Sequence, residues 1–514
     1  MRNIVGRVFG SIAWIAVVGL AGCAARSPET TGSISTPNAL QARLVSEGRA
    51  IDAPIDVHAA IARVLLFNRD LEAERMARML AEAEAGLATV EMLPGFVASS
   101  QVYARSNVAA ASSAPAANPS ALSAAAVSSE RVSRSREMAV SWNVLDFGIS
   151  YFRARQAGHR ADAAADQQRR AAALLVEQTR TVFWRALAAQ TLDAGLARID
   201  AEMNRSIDAA DRLRAAGLTD PMEALTAERD LLSIRRELDQ QRRLLVGAED
   251  QLRSLMNWPP DVPLRLARTG AGRVPTVSRP HFAALAQAVI ENRPEIRQAI
   301  GDERITAEEA RIALLELFPN LELAGGSSFD ANPYLLNHGW LSLATRASWQ
   351  LVKVIQYPAR SATIEAKAEL DRRRTRALAA ALVLQAQVAL SRLDQSRTEW
   401  STLGRLSEVQ LRLALQTAAQ AKVGRVGSQA ATRERMNALL AEARRDAAWG
   451  DVQGAWAAVL TSFGVDLAET GRLAGVPPEA LAAHLRATEA RVLAGPIAFV
   501  RVAERAAPAA EVTR

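Results

Sequence analysis

Apolar residues recur in this chain with two different periods, and the change of period marks its elements. At Leu192, Leu196, Ile199 and Met203 the spacings alternate between four and three. Leu231, Leu238, Leu245 and Leu252 then follow at intervals of seven, with Ile234 and Leu255 in intermediate positions. Heptad seams of this kind pack as knobs into holes against neighbouring helices. Elsewhere the period is two. From Leu341 to Leu351 the odd positions are Leu341, Leu343, Thr345, Ala347, Trp349 and Leu351, and the even ones are Ser342, Ala344, Arg346, Ser348 and Gln350. Met138, Val140, Trp142 and Val144 oppose Glu137, Ala139, Ser141 and Asn143 in the same way. Such alternation gives a strand one apolar and one polar face.

The plan is written twice. Glu91-Met92-Leu93-Pro94 closes a helical stretch and precedes the alternating run Gly95 to Arg105, and Glu316-Leu317-Phe318-Pro319 precedes Asn320 to Gly326. Pro94 and Pro319 lie 319 − 94 = 225 positions apart, and Leu71 and Ile296 match at the same offset. Each copy returns through a strand ending in Ser-Trp, at Ser141-Trp142 and Ser348-Trp349. Duplication fixes architecture before any local reading does. It predicts two pseudo-equivalent halves, residues 57–265 and 281–465, each contributing two strands and a long helical hairpin.

The stretch from Gly148 to about Ala216 has no internal proline, and about 65 helical residues would reach roughly 100 Å. Its far end is marked by turn chemistry around Gly217-Leu218. Gly217 suits a C′ position, and Asp220-Pro221-Met222-Glu223 restarts a helix with Asp220 as N-cap, Pro221 at N1 and Glu223 at N3. The second hairpin turns at Val423-Gly424-Arg425-Val426-Gly427-Ser428, with Gly427 or Ser428 opening the return helix. Pro259-Pro260 and Gly464 are expected to end the two return helices. The Ala/Ser-rich segment Ser106 to Arg134 shows no helix or strand pattern and reads as a surface loop. A shorter loop is expected near Asp330 to Gly339. The tail, residues 466–514, holds a possible helix from Glu479 to Leu493.

The N-terminus changes the picture. Arg2 and Arg7 form a basic region, Val8 to Gly19 is a short apolar run, and Leu20-Ala21-Gly22-Cys23 follows. The run is too short to span a membrane, which makes residues 1–22 a secretory signal. Cys23 is the only cysteine, so no intrachain disulfide forms. The tetrapeptide resembles a bacterial lipobox, which implies cleavage before Cys23 and lipidation of its thiol. Residues 23–56 then serve as anchor and tether. Ala24 stands where an aspartate would imply inner-membrane retention, so the outer membrane is the expected destination. With an export signal and no further apolar stretch of 18 residues, a transmembrane β-barrel explains the strands better than a soluble sheet does. Trp142 and Trp349 would sit near the inner membrane interface. Four strands cannot close a barrel, and an open edge in lipid leaves backbone groups unsatisfied. Two copies give eight strands with a filled interior; three give twelve and room for water.

Formal charge is +7, but the charges are intermixed along helices, which is a solvated face and not a nucleic-acid footprint. The five histidines, His58, His159, His281, His338 and His484, show no metal-ligand spacing. There is no P-loop, dinucleotide fingerprint or nucleophile elbow. No enzyme, cofactor or metal is expected. The rival reading is structural, a lipid-anchored periplasmic coiled-coil scaffold without a pore.

Several stretches in order resemble the TolC family of outer-membrane factors, in its lipoprotein branch. Glu291-Asn292-Arg293-Pro294-Glu295-Ile296-Arg297 is close to the family's NRPDLR segment, and Trp142-Asn143-Val144-Leu145-Asp146-Phe147-Gly148 to its strand-to-helix SWxLFDFG. Gly217-Leu218 with Leu225 and Ala227 is similar to a family hairpin tip, and Trp258-Pro259-Pro260 to its GLPP. The resemblance covers residues 57 to 465. It implies a fold that is mainly α with a membrane β-barrel, in which long antiparallel helical hairpins form a trimeric α-barrel tunnel. Four strands per chain would contribute to a twelve-stranded barrel. It further implies a homotrimer serving as exit duct, in efflux or type I secretion, for an inner-membrane pump joined through a periplasmic adaptor. The adaptor contact would fall at Gly217, Leu218, Glu223, Val423 and Gly424. One departure stands out. The acidic pair that lines the family's periplasmic constriction falls here on Ala430 and Arg433.

Overall fold

The computed structural model describes residues 53–114, 116–217, 220–259, 261–267, 279–467 and 475–494. Cys23, Leu218 and Pro260 lie outside these, as do the signal peptide and most of the tether. One compact unit, Pro54–Asn257 with Leu264–Arg514, holds every helix and strand described below. The other comprises Met1–Ala53 and Trp258–Pro263, where the Trp258 indole donates to the Val262 carbonyl at 3.1 Å.

The first half opens with α1 (Val57–Phe67) and α2 (Arg69–Val90). Both starts are capped by side chains that satisfy otherwise unpaired amides. Asp56 accepts from the Ala59 amide at 2.8 Å, and Asn68 from Asp70 and Leu71 at 3.1 Å each. Strand β1 (Gly95–Ala104) leads through a short pair, β2 (Ala109–Ala111) and β3 (Ala126–Ser129), to β4 (Val132–Asn143). A helix of 72 residues follows, α3 (Val144–Ala215), and returns as α4 (Pro221–Leu245) and α5 (Ala248–Leu255).

The second half repeats the plan with α6 (Phe282–Asn292), α7 (Pro294–Leu315), β5 (Asn320–Asp330), β6 (Gly339–Ser348), α8 (Leu351–Lys422) and α9 (Ser428–Ser462). Last comes α10 (Pro478–Ala494). Two offsets relate the halves. Up to the first strand it is 225, since 282 − 57 and 294 − 69 agree. From the long helix onward it is 207, since 351 − 144 and 428 − 221 agree. The 18 extra residues of the first half (225 − 207) therefore lie between its strands, in the segment that folds as β2–β3. Both long helices have 72 residues, each about 108 Å at 1.5 Å per residue.

The heptad leucines are buried as the pattern requires. Leu231, Leu238, Leu245 and Leu252 are at most 5% exposed, and the first three pack with Leu192, Leu196, Met203, Met436 and Leu440. Burial of a leucine of this kind stabilises by roughly 1.5–3 kcal/mol, so this seam joins the two hairpins. Leu71 and Ile296, matched by the repeat, are both buried.

Five expectations change. Asn143 accepts from the Leu145 and Asp146 amides, so the helix begins at Val144, inside the expected alternation and ahead of the expected start at Gly148. Strand β6 stops at Ser348, and Leu351 opens α8. The Ser106–Arg134 segment is not a plain loop, because β2 and β3 pair antiparallel within it. The first return helix breaks at Gly247 (φ 83°) and ends at Leu255, before the prolines, with Asn257 at φ 50°. Helix α8 also contains an 18-residue window of mean hydropathy 1.2, a third of it buried. That window is core against neighbouring helices as much as apolar surface: Leu382, Val383, Ala386, Leu390 and Leu393 are buried there.

Candidate functional site

The sheet order is β1-β4-β5-β6, every pairing antiparallel. Successive side chains alternate between faces, so the register sorts all four strands at once. Val140 faces Phe96 and Gly325, and Gly325 faces Leu343; Trp142 faces Leu323, and Met138 faces Ala98. The opposite face carries Ser99 beside Glu137, Glu137 beside Ser328, and Asn143 beside Glu322, itself beside Arg346. One face is therefore mainly apolar across all strands and the other mainly polar. The apolar face is bare, with Leu341 84% and Leu343 86% exposed.

Among the described residues both sheet edges are open, and their strands match in length, ten residues each for β1 and β6. An even number of antiparallel strands lets the β6 edge of one copy meet the β1 edge of another with alternation preserved. Trp142 lies near the helical end of β4, its ring 5.9 Å from Phe147 in an edge-on contact. Trp349 lies just beyond β6, where its indole donates to the Leu317 carbonyl at 3.0 Å. Both sequence-predicted tryptophans thus mark one end of the sheet.

The tip residues are where turn chemistry puts them. Gly217 (φ 68°) and Gly424 (φ 72°) each follow the C-cap residue of a long helix, Ala216 and Val423, in the left-handed region, where a Cβ would be strained. Nothing lies within 4 Å of a Cβ built at either. Val423 is exposed, and so is Glu223, at N3 behind the Asp220 cap, which accepts from the Met222 amide at 2.9 Å. Ala430 and Arg433 lie in the first turns of α9. Arg433 reaches Glu434 at 3.3 Å and Asp230 at 3.9 Å, so its charge is locally opposed within its own chain. Nearby, the hydroxyls of Ser206 and Thr432 meet at 2.8 Å in a buried contact between α3 and α9.

A third constellation was invisible in the sequence. The guanidinium of Arg180 (α3) grips Glu489 (α10) with two bonds, 2.6 and 2.7 Å, and donates to Gln453 Oε1 at 3.0 Å. His58 Nε2 and Trp456 Nε1 reach the same carboxylate at 2.7 and 3.1 Å. Burial pushes the Glu489 carboxyl up, but Arg180 and His58 outweigh it and hold the group far below the usual carboxylate range. Arg293, in the NRPEIR stretch, is likewise buried. It sits at the α6–α7 junction and donates to the Thr461 carbonyl at 2.6 Å and to Glu295 at 2.9 Å. Among the described residues no cluster of His, Cys, Asp or Glu could hold a metal.

No family model and no curated protein matches the chain. Solved structures do. The outer-membrane channel OprN is 17% identical, with 79% of this chain and 89% of that one covered at a TM-score of 0.61. CmeC, an outer membrane channel of Campylobacter jejuni, is 12% identical over 87% of this chain and 95% of its own, at 0.60. The open state of the Neisseria gonorrhoeae outer membrane channel MtrE is 14% identical over 79% and 88%, at 0.60. The chain has the fold of these channels.

Proposed function

We propose that three copies of this chain form an outer-membrane efflux channel, closing a twelve-stranded barrel above a periplasmic tunnel of helices. The observation that carries this reading is the sheet. It has four strands with one mainly apolar face, a mainly polar face opposite, and two open edges of equal length. Open edges cannot face lipid, where each unpaired backbone group costs several kcal/mol. Oligomeric closure satisfies them, and with an even strand count every new junction is antiparallel. The fold shared with solved outer-membrane channels supports the same assembly.

The polar face would line the pore and the apolar face would meet lipid, with Trp142 and Trp349 at the inner interface. At the far end, the turns at Gly217-Leu218 and Val423-Gly424, with Glu223, would meet a periplasmic adaptor that delivers substrate from an inner-membrane pump. Lipidation of Cys23 would tether the chain to the outer membrane. The duct performs no chemistry; it supplies a continuous aqueous path, so no cofactor is required. A poreless coiled-coil scaffold would have no use for a bare apolar sheet face. The test is purification from outer membranes. The reading expects a heat-modifiable trimer that conducts ions in a planar bilayer. A soluble, non-conducting monomer after removal of the anchor would favour the scaffold.

A further inference from the structure

The outward face of the sheet is apolar almost throughout, but not entirely. Among the outward positions of β1, β4, β5 and β6, two residues are charged, Arg134 and Arg136. Both are on β4, two positions apart on the same face, and both are exposed. Arg136 lies between Ser100 and Phe329 in the ladder, and Arg134 beside Val102. Neither has an ion-pair partner among the described residues, whereas arginines along the helices repeatedly find carboxylates, as Arg235 does with Asp200 and Asp239. The inward positions beside them carry the opposite sign, Glu137 on β4 and Asp330 on β5.

Their height matters. The helices attach at the end where Trp142 lies, so Arg134 and Arg136 occupy the opposite half of the barrel. Six and eight residues separate them from Trp142, roughly 20 and 27 Å along the strand, or about 15 and 20 Å along the membrane normal at a tilt of ~40°. An outward apolar band is about 25 Å tall. Arg134 thus stands about 5 Å and Arg136 about 10 Å below the outer boundary, and a long side chain laid along the apolar surface carries its guanidinium towards that boundary. An unpaired arginine on a lipid face is tolerated at that level only if its charge is met by water or by an anion.

We infer that Arg134 and Arg136 form a binding site for the phosphate groups of a phosphorylated glycolipid in the outer leaflet. This rests on the proposed trimeric barrel, which would display three such pairs. Guanidinium groups suit this partner because their fork of N–H donors matches phosphate oxygens, where an ammonium offers only a point charge. The Ser100 hydroxyl, beside Arg136, adds a further donor to the same rim. The occupant is a lipid and not free phosphate, because the apolar positions Val102 and Phe329 flank the pair on either side and accept acyl chains.

The experiment uses the full-length trimer in detergent, titrated with diphosphorylated lipid A and with its dephosphorylated form, and counts bound lipid by native mass spectrometry. The expected result is about three lipid A molecules retained per trimer. Arg134→Gln/Arg136→Gln should reduce retention by tenfold or more, and removal of the phosphates should do the same. Arg134→Lys/Arg136→Lys should recover part of it. The glutamine variant should remain trimeric and conduct normally, which separates lost lipid from lost fold. Equal retention by wild type and glutamine variant, or equal binding of phosphatidylglycerol, overturns the inference while leaving the channel intact. A non-conducting monomer in the wild type overturns the channel reading and this site together.

Discussion

The buried junction of Arg180 and Glu489 makes a quantitative test of what holds the C-terminal helix in place. Arg180 is 2% and Glu489 7% exposed, and two of the carboxylate's partners are the fork of one guanidinium. Glu489→Ala leaves that guanidinium buried with Gln453 Oε1 as its remaining side-chain acceptor. Breaking a buried pair from one side costs about 3–5 kcal/mol, equivalent to a factor of roughly 10²–10⁴ in a local opening equilibrium. The helix Pro478–Ala494 should therefore exchange its amide hydrogens about 10²–10⁴-fold faster in the variant. The remaining anchors, among them buried Leu481 and Leu485 and the Arg486–Asp56 ion pair at 2.6 Å, cannot compensate a bare charge. The double variant Arg180→Met/Glu489→Leu removes both charges and should restore most of the protection, since an apolar replacement of a buried pair is often neutral. The sign with pH is fixed by the depressed carboxyl. Its folded-state value lies below the unfolded one, so its contribution is complete above the ordinary range of a glutamate and is lost as pH falls through the folded value. Acid should loosen the wild-type helix and leave the double variant unaffected. Unchanged exchange in Glu489→Ala, or a double variant as loose as the single, would refute the reasoning.

Gly464→Ala should destabilise by several kcal/mol, read in urea unfolding: its φ is 69°, and a Cβ there would stand 2.6 Å from the Asn292 carbonyl oxygen. Gly217→Val and Gly424→Val meet only backbone strain, about 1 kcal/mol or more, so the trimer should assemble while efflux is lost; normal efflux would remove the tips as the docking surface. Cys23→Ser should abolish metabolic labelling with palmitate and leave strand pairing unaffected. Arg433→Ala should leave ion selectivity under a salt gradient nearly unchanged, because Glu434 and Asp230 already oppose that charge; a clear shift towards cations would show three arginines acting on the pore.

The elements that depend on neighbours in sequence were legible before the structure. Heptad leucines located the seam, Asp220-Pro221 located a helix start, and Gly217, Gly424 and Gly464 located helix ends because each needs positive φ. The duplication gave the architecture. Boundaries moved where a local competitor was overlooked. Asn143 is a capping residue inside a run that alternates like a strand, so Val144, the last residue of that run, became the first of the helix. Gly247 interrupts the return helix without disturbing the seven-residue spacing of its leucines, which is why periodicity passed over it. Apart from Val127 the β2–β3 pair is built from alanine and serine, which carry almost no face contrast. The Arg180–Glu489 junction joins residues 309 positions apart, and no spacing rule reaches that far. Arg134 and Arg136 were readable as charges, but their outward orientation required the register.

The central claim is that β1 of one copy pairs with β6 of the next until three have closed. Within one chain two strands separate these edges, which at about 4.8 Å per strand places them well beyond the ~7 Å that a disulfide spans. In a Cys23→Ser background, cysteines scanned over Val97, Ser99 and Gln101 against Ser342, Ala344 and Arg346 can crosslink only between copies. The account predicts that oxidation in native outer membranes yields covalent dimers and trimers and nothing larger. Monomers at every pairing, or a ladder running past three, would contradict it.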